Sequence, residues 1–272
     1  MDNIRRGAIA VIGFIGTGNM AVPIIRGALK SGIFSAEEIV LDKNRSRAEA
    51  LHEELGVKLC NGLGELVAAS DILVLAVKPN MVRKVLKEAG PALAGKAIFS
   101  VAAGWTTEML LDAVPGARVL RTMPNTPAMV GEGKSALSKA HTLTASEAAI
   151  AESLFSSFGR AVWVEEYMME AVIGVSGSGP AYAFMFIEAM ADGGVMKGLP
   201  RKAAQELAAQ TLLGAAKMVL ESGMHPGELK DMVCSPGGTT IAAVHALEAD
   251  GFRASVMDAV AASADKAEAM KG

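Results

Sequence analysis

The chain has 272 residues, is 51% hydrophobic and carries a formal net charge of -3. That is apolar material for one large core or two domains, while the near-neutral charge offers no basic field for nucleic acid or a membrane surface. Two cysteines, Cys60 and Cys234, make neither a zinc spacing nor a disulfide framework, so no metal is expected and a cytoplasmic, reducing setting is.

The opening MDNIRRGAIAVIGFIG sets basic residues before an apolar run. The run is short and has glycines where a nucleotide loop needs them, which argues against a secretory signal. Residues 9–15 (IAVIGFI) read as a buried strand and 19–31 as a helix. A second strand over 39–42 (IVLD) precedes a charged helix over 45–55. A short strand over 57–59 and a helix over 65–69 follow. Residues 71–77 (DILVLAV) form a strand stopped by Lys78-Pro79, and 97–101 (AIFSV) and 118–123 (RVLRTM) add two more. Strands apolar on both faces and interleaved with helices predict a parallel sheet covered on both sides.

Past Trp163 the strand signals stop. Helices are expected over 181–196, from Pro200 to 222, after the His225-Pro226-Gly227 break through 233, and over 239–249 and 252–270. The fold class is α/β: an N-terminal Rossmann-type parallel-sheet domain, residues 1–164, then an all-helical domain, residues 165–272. Residues 171–187 are weakly polar but hold Gly, Ser, Pro and Tyr, and read as buried helix and turn, not a membrane span. Sixteen methionines are expected as soft filler of the core.

The first strand runs into Ile15-Gly16-Thr17-Gly18-Asn19-Met20-Ala21, a G-x-G-x-x-A fingerprint. Gly16 permits the tight turn, Gly18 lets the backbone approach a pyrophosphate, and Ala21 keeps the helix close to the sheet; the helix N-terminus then faces the anion. At the end of the second strand, Asp42 suits a ribose 2′-OH and hence NAD, whereas Asn44-Arg45-Ser46 suits a 2′-phosphate. The weight falls on NADP, with NAD left open. Ala76-Val77-Lys78-Pro79 ends the fourth strand at the ligand crevice. Lys78 reads as a cofactor contact or a surface lysine before it reads as a Schiff-base nucleophile, because nothing local signals a desolvating pocket. Ser100 to Gly104 and Met123-Pro124-Asn125-Thr126-Pro127 end the next strands with small or turn-forming residues, which would let a nicotinamide ring approach.

In the second half, Ser176-Gly177-Ser178-Gly179-Pro180-Ala181-Tyr182 leads into a helix, through small-residue packing or ligand contact, and Gly193-Gly194 suggests a tight helix crossing. Ser235-Pro236-Gly237-Gly238-Thr239-Thr240 opens another helix with no charged side chain. A plain threonine N-cap, worth about 1 kcal/mol, would need only one of these residues. Backbone amides of a glycine-lined helix entrance, with threonine hydroxyls beside them, instead suit the carboxylate of a small substrate.

FIGTGNMA, LAVKP, SVAAG, RTMPNTPA, VSGSGPAYAF, EAMADGGV, GLPRKAA, LLGAAKMVLESGMHPGELKDMVCSPGGTTIAA and GFRASVMDAV together resemble the pyrroline-5-carboxylate reductase family, across nearly the whole chain. The resemblance implies NADPH-dependent reduction of a cyclic imino acid to proline, by hydride transfer to a C=N bond. It implies a helical domain that interlocks into a homodimer, with dimers assembling into decamers. It puts Thr240 on the ring nitrogen of the substrate and the amides of Gly238, Thr239 and their neighbours on its carboxylate. The cofactor would lie on Gly16 to Ala21, Asn44 to Ser46 and Ala76 to Pro79. Leu63 stands where members of the family often carry an asparagine, with Asn61 nearby. A β-hydroxyacid dehydrogenase shares the two-domain plan but needs a catalytic lysine on the interdomain helix, and residues 168–187 contain none. A non-catalytic NADP-binding sensor would have no use for SPGGTT.

Overall fold

The computed structural model describes residues 10–42 and 44–271; Ile9, the expected opening of the first strand, lies outside them. Eight strands form one sheet: β1 (Ile12–Ile15), β2 (Ile39–Asp42), β3 (Lys58–Cys60), β4 (Ile72–Leu75), β5 (Ala97–Ser100), β6 (Arg118–Met123), β7 (Gly133–Ser138) and β8 (Gly159–Val164), in the order β3-β2-β1-β4-β5-β6-β7-β8. The first six are parallel; β7 runs antiparallel to β6, and β8 parallel to β7. The sequence reading missed β7 and β8. Ser135 and Ser138 of β7 are buried polar residues that break its apolar run, and β8 alternates between exposed and half-buried residues along the sheet margin.

Helices α1 (Ala21–Ser31), α2 (Ala48–Leu55), α3 (Leu63–Ala69), α4 (Pro79–Ala89), α5 (Thr107–Ala113) and α6 (Ala145–Ser156) flank the sheet. Successive strand residues point to opposite faces, and the core divides accordingly. Ile12, Phe14, Leu41, Val74 and Phe99 pack with Ile24 and Ile25 of α1 and Leu154 and Phe155 of α6. Ile15, Val40, Leu73, Leu75 and Ile98 pack with Leu66 of α3, Val82 and Leu86 of α4 and Leu110 of α5. The chain leaves β1 toward β2 on one side and resumes with β4 on the other. Such a reversal opens a crevice at the carboxyl ends of the strands, flanked here by the loops after β1 and β4.

After α7 (Met169–Val172) and a π-turn over Ile173–Gly177 come α8 (Gly179–Met196), α9 (Arg201–Ser222), α10 (Pro226–Val233), α11 (Thr239–Ala249) and α12 (Phe252–Glu268). The described residues fall into two compact units, one within 10–177 together with 263–271, the other 178–262. The division thus cuts α12, whose last turns belong with the sheet. Gly193 and Gly194 leave α8 unbroken; a Cβ on Gly194 would stand 3.1 Å from Leu199 Cδ1 and 3.2 Å from Ala204 Cβ, so this glycine serves the close approach of α9.

The helical unit has little core of its own. Ala191, Ala204 and Ala208 are its buried cluster, with Ile187 and Val195 against them. Phe184, Met185, Leu207, Leu213 and Leu220 are exposed on the single chain. The methionines therefore do not fill the core as expected: among the described ones Met169 is fully buried, whereas Met185, Met196 and Met257 are 69%, 84% and 71% exposed. A flexible thioether suits a surface that another chain covers. Among the described residues no helix is long and apolar enough to cross a membrane.

Candidate active site

The glycine loop is built by the sheet. Gly16 has φ +109°, and a Cβ there would fall 2.6 Å from the Ala76 carbonyl oxygen. The loop after β1 can therefore lie against the end of β4 only with glycine at this position. Gly18 faces open space on its Cβ side, where a ligand can reach the backbone. The amides of Gly18, Asn19 and Met20 donate to no described backbone group, and Val22 N–H closes the first turn on Gly18 at 3.3 Å. Helix α1 begins at Ala21, not at Asn19 as expected, which leaves those amides outside the helix. Ile15 is buried and Thr17 nearly so; the Thr17 hydroxyl donates to the Ser46 carbonyl, tying the loop to the segment after β2.

That segment is a tight turn built on Asp42. Asp42 is buried at the end of β2. Its carboxylate accepts the Asn44 amide at 3.0 Å and meets Arg45 Nε at 3.3 Å. Residues 44–47 form a turn, with Arg47 at φ +71°, so α2 starts at Ala48 and not at Arg45. Arg47 Nη1 donates to Asn19 Oδ1 at 2.9 Å. Asp42 is thus occupied by its own turn, and Asn44, Arg45 and Ser46 stand at the strand end. The thiol of Cys60 on neighbouring β3 is pushed up to about 11 by burial and by Asp42 and Glu65. The backbone N–H of Asn61 donates to Glu65 Oε2 at 2.7 Å, at the start of α3.

Across the switch point, Ala76 N–H donates to the Ile15 carbonyl at 2.9 Å. Ala76 and Val77 are half-buried, and Pro79 opens α4 with Lys78 as N-cap. Lys78 is exposed, so no burial activates it as a nucleophile.

In the helical unit, Ser235-Pro236-Gly237-Gly238 is a tight turn closed by Gly238 N–H on the Ser235 carbonyl at 3.0 Å, with Gly237 at φ +65°. Pro followed by a glycine of positive φ is the type II arrangement. Gly238, not a threonine, is the N-cap of α11, and no side chain caps it. A Cβ there would meet Ser235 Oγ at 2.3 Å. The first amides of α11 have no acceptor within the helix, with Thr239 exposed and Thr240 half-buried beside them. Neither threonine hydroxyl bonds a described residue.

Sequence reasoning missed a buried ionic cluster in the sheet unit. Arg121 of β6 donates to Glu166 at 2.9 Å and to Glu170 at 2.8 Å. Glu166 also accepts from Thr107 N–H and Oγ1, both at 3.1 Å, and from the Ser138 hydroxyl. Lys271 Nζ lies 3.1 Å from Glu170 Oε2. Burial alone would raise both carboxyls; the bonds from Ser138, Arg121 and Thr107 to Glu166, and from Arg121 and Lys271 to Glu170, outweigh it and hold both below the usual range. The available signal was a charge inside RVLRTM, since a cation in a strand buried on both faces requires partners.

Residues 166–270 match the family described as pyrroline-5-carboxylate reductase dimerisation, and residues 11–104 match NADP oxidoreductase coenzyme F420-dependent. The chain is 45% identical over 260 residues to the pyrroline-5-carboxylate reductase of Escherichia coli K12, covering 94% of this chain and 97% of that one. The chain belongs to the pyrroline-5-carboxylate reductase family. Two solved members agree in architecture: the Coxiella burnetii reductase (TM-score 0.90, 32% identity, 97% of this chain and 99% of that one) and the Plasmodium falciparum enzyme with NADP bound (0.87, 30%, 97% and 98%). Membership in the pyrroline-5-carboxylate reductase family also accounts for the exposed apolar residues of the helical unit, which coincide with the matched dimerisation region.

Proposed function

We infer that the chain reduces 1-pyrroline-5-carboxylate to proline with NADPH, the last step of proline biosynthesis. The observation that carries the chemistry is the uncapped, uncharged entrance of α11. Amides of Gly238, Thr239 and the first turn, shaped by Ser235, Pro236 and Gly237, hold the substrate carboxylate. The Thr240 hydroxyl orients the ring nitrogen. NADPH, when bound, supplies the hydride. A protonated cyclic imine is already electrophilic, so positioning is most of what the protein contributes, and an acid–base dyad is unnecessary. Mixing the chain with NADPH and pyrroline-5-carboxylate and following the nicotinamide absorbance tests the reading; no consumption of NADPH would refute it.

The cofactor rests on Ile15 to Ala21, on Asn44, Arg45 and Ser46, and on Ala76 to Pro79. NADPH is favoured over NADH because Asp42 is engaged by Asn44 and Arg45 and is not offered to a 2′-hydroxyl. We expect a higher kcat/KM with NADPH than with NADH, and Arg45→Ala to narrow the gap; a strong NADH preference would show that Asp42 reads the ribose after all. Gly18→Ala is expected to weaken NADP binding with the melting temperature unchanged, since its Cβ meets nothing in the fold. Gly16→Ala is expected to cost about 1–3 kcal/mol of stability through backbone strain, read by thermal unfolding.

The sheet domain, residues 1–164, serves the cofactor, and residues 165–272 serve substrate binding and dimerisation; dimers assemble into a decamer. The two unpaired cysteines support a cytoplasmic location. Light scattering at micromolar concentration should give the mass of a decamer. A dimer would remove the higher assembly, and a monomer would remove both.

A further inference from the structure

We propose that Trp105, seated by the segment 269–271, is a positioning residue that locks together the two strand-end loops at the nicotinamide end of the crevice. The first loop follows β4 and ends at Pro79; the second follows β5 and ends at Gly104. Trp105 is 7% exposed, and its indole N–H donates to the Pro79 carbonyl at 3.1 Å. This side-chain bond ties the second loop to the first. The Arg83 guanidinium of α4 lies 5.6 Å from the ring centroid of Trp105 and holds the ring against α4. An indole bonded at one edge and covered by a cation has few alternative rotamers.

The other side of the clamp comes from far along the chain. Ala269 and Met270 share a groove with Pro79, Arg83, Gly104 and Trp105. Gly104 has φ +77°, and a Cβ there would stand 3.3 Å from the Met270 carbonyl oxygen, so the segment rests on the loop backbone itself. Lys271 pins this segment through Glu170, 3.1 Å away, and Glu170 is held by Arg121 inside the sheet unit. Burial would lower the Lys271 ammonium, but Glu268 and Glu170 outweigh it and keep it charged. The chain of contacts therefore runs from the buried ion cluster, through Lys271 and Met270, to Gly104, Trp105 and Pro79. None of these side chains needs to touch the reacting atoms; they fix the backbone on which the cofactor lies.

The proposal rests on the assignment of Ala76 to Pro79 to the cofactor, and the test separates the two. NADP affinity of the full chain is measured by calorimetry, alongside KM for NADPH and for the imine. Trp105→Phe keeps an aromatic ring under Arg83 and removes the N–H. It should raise the NADP Kd and the NADPH KM by about tenfold, the upper range for one lost hydrogen bond, with the imine KM unchanged. Lys271→Met should act in the same direction, and Lys271→Arg should restore the wild-type values. Unchanged NADP affinity in both Trp105→Phe and Lys271→Met would overturn the clamp while leaving the cofactor assignment standing. Parallel rises in both KM values with a lowered melting temperature would reduce Trp105 to a packing residue. A wild-type chain that binds no NADP would overturn both.

Discussion

Thr240→Ala is expected to lower kcat/KM for the imine by about tenfold to a thousandfold, the range for losing one site hydrogen bond. The loss is expected chiefly in kcat, because the carboxylate is held by amides that the substitution leaves in place. The fold should not suffer. Gly238 is the N-cap of α11 and no side chain caps it, so the hydroxyl of Thr240 can be removed without releasing a helix end. Thr240→Ser keeps an oxygen at the same branch and should recover most of the rate. Thr239→Ala, one position back on an exposed side chain, should change kcat little. Steady-state kinetics on the three variants, with melting temperatures alongside, check the assignment. Wild-type rates in Thr240→Ala would remove this hydroxyl from the mechanism and leave the amides alone at the site.

The parts of the chain legible in advance were those whose signal is local. Strands β1, β2, β4 and β5 are short, mainly apolar runs, and a covered parallel sheet follows from that pattern. Helix α11 begins and ends where its glycines and threonines say, at Thr239 and Ala249. What escaped notice depended on partners distant in sequence. Ser135 and Ser138 look like loop residues until β6 and β8 enclose them. The delayed start of α2 depends on Asp42 drawing the next residues into a turn, which propensity alone does not register. The methionines were misassigned because hydrophobicity does not distinguish a core from a surface that a second chain covers. Arg121 pairs with residues 45 and 49 positions away, and with them stands Lys271, from the far end of the described chain.

That cluster carries the largest expected effect on stability. Arg121→Met leaves buried Glu170 and half-buried Glu166 without their shared cation, and removing one partner of a buried ion pair typically costs about 3–5 kcal/mol. Lys271 still faces Glu170, and Thr107 and Ser138 still donate to Glu166. Urea unfolding at fixed protomer concentration measures it, since assembly contributes to the apparent stability. The pH dependence supplies the sign. Both carboxyls are held below their ordinary value in the folded chain, so their contribution is complete above the unfolded carboxyl pKa, about 4.3, and is lost as pH falls through the folded values. The variant lacks much of that contribution at neutral pH and has less to lose in acid. The gap between wild type and Arg121→Met should therefore be widest near pH 7 and should close as the pH is lowered below about 4. A gap that stays constant from neutral to acid would mean that Arg121 stabilises the sheet through packing of its aliphatic stem and not through its charge.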